Sequence, residues 1–102
     1  MNIYLVKSPL PLASNTFDAF VVEAVTAGEA RETYPGEEVG ADYVYRIHAG
    51  FWYRHYDDDT AGETSDCDEW PVCVDDLLVE LIGASDTPPG KPRVILASFN
   101  AG

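Results

Sequence analysis

Basic side chains are scarce in this sequence: six Lys and Arg stand against eighteen Asp and Glu, a net charge of −12 across 102 residues. That shortage excludes direct binding to nucleic acid, which requires a basic footprint, and argues against an anionic membrane as target. Long apolar runs are missing as well, and none reaches the roughly 18 residues of a membrane span. Cysteine occurs twice, at Cys67 and Cys73, too few for a disulfide scaffold. No basic residue precedes the short apolar stretch Ile3, Tyr4, Leu5, Val6, so no signal peptide is expected. Both cysteines are therefore read as reduced, intracellular thiols, with a local bridge between them as the alternative.

Catalytic signatures are also lacking. The chain has no G-x-S-x-G, no P-loop and no G-x-G-x-x-G, so neither nucleophilic catalysis nor a nucleotide cofactor is expected. Acid–base catalysis needs two carboxyls whose environments push their pKa values apart, and an exposed acidic cluster does not supply that. His48 and His55 lie seven residues apart, and with Cys67 and Cys73 they form no close pair, whereas structural zinc sites bring ligands in pairs such as C-x₂₋₄-C. Asp57, Asp59, Gly62 and Asp68 fall at positions 1, 3, 6 and 12 of a calcium loop. Ala61 at position 5, Thr64 at position 8 and Asp in place of Glu at position 12 break that pattern. The expectation is a binding protein, with no enzyme activity, metal or cofactor.

What is present is the material of a core. Hydrophobic residues make up 46%, and six Tyr, four Phe and two Trp are among them, unlike a disordered acidic chain. A chain of this length buries about 60–68% of its unfolded surface, enough for one domain over residues 1–102. Strands are predicted around residues 3–6 (a central one), 18–24, 42–48, 78–82 and 93–98, with the aromatic run 51–56 as a hairpin arm after Gly50. Thr26 and Glu29 have capping-box spacing, so a short helix is predicted from there to about Tyr34, where Pro35-Gly36 stops it. Residues 57–69 read as a polar loop, and Asp86-Thr87-Pro88-Pro89-Gly90 as a turn. One helix cannot supply repeated parallel crossovers. The predicted fold is α+β: a small, mostly antiparallel sheet of four to six strands with one short helix on a face.

The acids are unevenly placed. Ten of the eighteen (Asp57, Asp58, Asp59, Glu63, Asp66, Asp68, Glu69, Asp75, Asp76 and Glu80) fall between residues 57 and 80, where no Lys or Arg occurs. Such a run is either a solvated loop or an anionic surface built for a cationic groove. Carboxylates on alternate residues of an extended strand lie about 6.6 Å apart on one face, the length scale of duplex phosphates. Glu29, Glu32, Glu37 and Glu38 would add to that surface, and Arg46 and Arg54 would neutralise nearby acids or stack on aromatics. Trp52 and Tyr53 precede the acidic run and are either core or an aromatic anchor for a partner. Trp70 carries the same two readings.

The opening Met1-Asn2-Ile3-Tyr4-Leu5-Val6, the stretch Ala19-Phe20-Val21-Val22-Glu23-Ala24 leading to Ala27-Gly28-Glu29-Ala30-Arg31, and the segments around Val79-Glu80-Leu81-Ile82-Gly83 and Val94-Ile95-Leu96-Ala97-Ser98-Phe99-Asn100-Ala101-Gly102 resemble small uncharacterised phage and prophage proteins. The resemblance covers about the first 34 and last 25 residues, and residues 35–73, rich in acids and aromatics, look like an insertion. In size and charge the chain also resembles anti-CRISPR proteins, several of which imitate DNA. That implies a monomeric inhibitor in the bacterial host cytoplasm. Its partner would be a basic protein surface such as the DNA-binding face of a type I CRISPR surveillance complex, with no direct contact to nucleic acid or membrane. The alternative is a structural or accessory phage protein whose acidity provides solubility.

Overall fold

β-Branched and aromatic residues make the first strand, β1 (Asn2–Lys7), which occupies a central place in a four-stranded antiparallel sheet in the computed structural model. The structure describes residues 1–9, 15–36, 43–56, 64–66 and 70–100; for 43–45, 53–56, 64–66 and 100 it describes the backbone. After β1 come β2 (Thr16–Ala24), a helix α1 (Ala27–Arg31), and β3 (Tyr43–His48), β4 (Phe51–Tyr56) and β5 (Thr64–Asp66). A 3₁₀ turn (Val74–Asp76), β6 (Leu78–Ala84) and β7 (Arg93–Asn100) complete the order. The large sheet runs β6-β1-β2-β7, and β3-β4-β5 form a second, antiparallel sheet. The α+β class, the antiparallel pairing and the single short helix agree with the sequence expectation. Among the described residues no helix is long and apolar enough to cross a membrane.

Alternation decides which side chains enter the core. On β1, Tyr4 and Val6 are buried, and their neighbours on β2, Phe20 and Val22, continue the same face. α1 lies over this face through Ala30. The helix starts as the capping residues require: the Thr26 hydroxyl accepts from the Glu29 N–H at 3.2 Å, and the Glu29 carboxylate accepts from the Val25 N–H. It ends at Arg31, three residues short of the sequence expectation. Tyr34 instead turns inward, its ring edge-on to Phe17 and Trp52, and the residue before a proline disfavours the helical region.

Residues 57–69, expected as loop, include a strand. β5 forms there because β4 offers an unpaired edge, and Thr64, Ser65 and Asp66 complete its ladder opposite His55, Arg54 and Tyr53. The hairpin joining β3 to β4 turns in two residues. Its two central residues, Ala49 and Gly50, both have positive φ, 53° and 85°, the combination of a type I′ turn.

Candidate acidic surface

The segment after β5 shows how the described acids are held. Trp70 is fully buried and meets the Phe20 ring edge-on at 5.9 Å. Val72, Val74 and Leu77 follow it into the core. The Val74 N–H donates to the Gly50 carbonyl at 2.8 Å, and Cys73 bridges to Phe51, so the segment is tied to the β3–β4 turn. Three residues per turn put Val74 and Leu77 on one side of the 3₁₀ turn, and both are buried. Asp75 and Asp76, between them, are left facing solvent. Hydrophobic burial on either side thus fixes this pair of carboxylates.

Glu80 stands elsewhere. It is opposite Leu5 on the face of the large sheet away from the core, so the structure brings Asp75 and Asp76 together and sets Glu80 apart from them. Asp66 lies in β5 across from Tyr53. Asp57, Asp58, Asp59, Glu63, Asp68 and Glu69 lie outside the described residues, as do Glu37, Glu38, Cys67 and most of the calcium-like pattern. Glu29 and Glu32 are exposed on and beside α1. Arg46 is exposed in β3 opposite Tyr53.

The aromatic choices left open by the sequence divide. Trp52 is buried, packed edge-on against Tyr34, and belongs to the core together with Trp70; as packing residues neither presents its ring to a partner. Phe51, its neighbour, is exposed. The indole N–H groups of Trp52 and Trp70 are buried and find no acceptor among the described residues. Cys73 carries a free thiol. No group of three or more His, Cys, Asp or Glu is placed to hold a metal ion among the described residues.

One carboxylate escaped sequence reasoning. Glu23, near the end of β2, is 2% exposed, pairs with the Arg93 guanidinium, and accepts from the Ser85 hydroxyl at 2.9 Å. These hydrogen bonds, Arg93's foremost and then those of Thr87 and Ser85, lower its pKa from 4.5 to about 2. The segment from Ser85 to Pro92 must cross the end of β1 and β2, because β6 and β7 lie at opposite edges of the sheet. The Glu23 carboxylate and the Met1 amine, which donates to the Thr87 carbonyl at 2.6 Å, fasten that crossing. The signal was legible: an isolated acid between Val22 and Ala24 in an apolar strand calls for a cation.

No protein-family model matches the chain, and no curated protein or solved structure matches it.

Proposed function

We propose that this protein is an inhibitor that binds a basic, nucleic-acid-binding protein through its acidic surface over residues 57–80 and thereby excludes nucleic acid. The observation that carries the reading is the charge pattern: ten of eighteen acids and no Lys or Arg in that span, within a chain of net −12. The burial of Val74 and Leu77 on either side of Asp75 and Asp76 supports it, because carboxylates held on an ordered segment lose little freedom on binding. The partner class is a CRISPR effector, the DNA-binding face of a type I surveillance complex being the first candidate. The mode of action is steric and electrostatic occupation of a DNA channel, without catalysis.

The test is competition for target DNA across a salt series, with purified candidate effector complexes. DNA binding lost at low salt and recovered at high salt is the expected result, since exposed charges are screened as ionic strength rises. Reversing Asp57, Asp58 and Asp59 to Lys should abolish inhibition while leaving the melting temperature of the protein unchanged. Unchanged inhibition by that variant overturns the acidic-surface reading. Failure to affect any complex favours an accessory phage protein whose charge keeps it soluble.

A further inference from the structure

Among the described residues nothing covers the middle of the outward face of the large sheet; at one end Ser85 shields Glu23. Ile3, Leu5, Val21 and Leu96 lie on it, around a dimple of about 200 Å³ lined by Leu5, Ala19, Phe20, Val21, Leu96 and Ser98. Leu96 is 67% exposed and stands at the dimple's side. The strands that build this face are apolar almost without a break: Ile3-Tyr4-Leu5-Val6, Ala19-Phe20-Val21-Val22 and Val94-Ile95-Leu96-Ala97. Continuous apolar strands belong to sheets covered on both sides, whereas a sheet with one wet face alternates. Among the described residues the inner face is covered by α1 and the segment from Trp70 to Leu77, and the middle of the outer face is not.

We infer that a second copy of this chain covers the outward face, the two sheets packing face to face about a two-fold axis. Charge selects this occupant. The paired outward positions carry two cations, Lys7 and Arg93, and two carboxylates, Glu23 and Glu80. Those paired positions balance, in a chain whose net charge is −12. This face is the surface on which this strongly acidic molecule can approach its own copy with least repulsion. A basic partner, by contrast, would find little here to attract it. The relief is self-complementary too, since a two-fold axis near Leu5 and Val21 brings Leu96 of each copy toward the other's dimple.

The size of the face sets the strength. Four strands about 4.8 Å apart, each roughly 20–25 Å long, give a flat footprint of roughly 400 Å². Side-chain relief brings two such faces to about the 1,000 Å² that a specific interface needs. An interface at the small end of the specific range fits a reversible dimer that dissociates on dilution.

Sedimentation of the full chain over a concentration series tests this. The weight-average mass should rise from 11.2 kDa toward twice that value. It should rise further on adding salt, because the apolar contact persists while the repulsion between two acidic copies is screened. Leu96→Glu places a charge in the contact without disturbing the core, so it should remain monomeric where the parent is mostly dimer, and its melt should match the parent's at dilutions where both are monomeric. Phe51→Ser, on the β3–β4 hairpin, should dimerise like the parent. A mass of 11.2 kDa at every concentration overturns the inference. So does a Leu96→Glu variant that dimerises normally, which would place the contact at the open edges of β6 or β7, and so does a dimer that salt dissolves.

Discussion

Glu23 shows how one side chain can hold two ends of a sheet together. Its carboxyl titrates near 2 when folded and near 4.5 when free. A depressed folded pKa contributes stability that is fully present above 4.5 and is lost as pH falls from there toward 2. Thermal melts between pH 6 and pH 2, the usual window of acid unfolding, should therefore show a falling midpoint in the parent protein. Glu23→Gln should be less stable at neutral pH and should show a shallower fall; an identical profile in both would mean that the Arg93 contact contributes nothing. Trp70 makes the complementary point about packing. Replacing a buried Trp with Ala costs about 3–5 kcal/mol, so Trp70→Ala should lose that amount in urea unfolding. Trp70→Phe should lose much less, since it keeps an aromatic edge against Phe20 and removes an indole N–H that lacks an acceptor among the described residues.

Among the elements, the β3–β4 hairpin carries strain that a substitution can remove. Ala49 sits at φ 53°, where an L side chain other than Asn, Asp or Gly is disfavoured. Ala49→Gly or Ala49→Asn should raise stability by about 0.5–1 kcal/mol in chemical unfolding. Gly50→Ala should do the opposite, because its φ is also positive and the new Cβ would lie 3.1 Å from the Cys73 sulfur. The 3₁₀ turn offers a functional counterpart. If the proposed effector is the partner, reversing Asp75 and Asp76 to Lys should slow association with it about tenfold at low salt and leave dissociation nearly unchanged, as peripheral charges act on encounter. Much of this level was legible from residue order. β1, β2, β6 and β7 announced themselves through β-branched runs, and α1 through Thr26 and Glu29. The segment from Trp70 to Leu77 did not: Trp70, Val72 and Val74 alternate as in a strand, but Pro71 and the flanking acids mask that short pattern, and Leu77 breaks it by following at helical spacing. β5 was hidden for another reason: Thr64-Ser65-Asp66 has little strand propensity of its own and is recruited by the edge of β4.

At the scale of the whole molecule, charge and hydrophobicity are segregated. Among the described residues Asp75 and Asp76 face solvent beside the buried Val74 and Leu77, while the outward face of the large sheet, Glu80 included, is balanced in charge and largely apolar. Salt should therefore act in opposite senses on the two proposed associations, loosening that with a basic effector and tightening the pairing of copies. The sequence displayed the acids plainly, since composition suffices to count them. It did not disclose the bare apolar face, because continuous apolar strands say that both sides are covered without saying by what.

The order of strands in the large sheet has a further consequence, for the time course of folding. β1 and β2 are neighbours along the chain, but Asn2 pairs with Ala84 and Thr16 with Asn100. Both edges of the central hairpin are closed by segments from the far end of the sequence, over loops whose closure entropy must be met before any pairing is gained. Such a topology folds in milliseconds to seconds, not in the microseconds of helical chains. During synthesis the Phe20 and Val22 side chains and two open strand edges must wait until residue 100 has emerged, so the sheet closes only as a late, cooperative event.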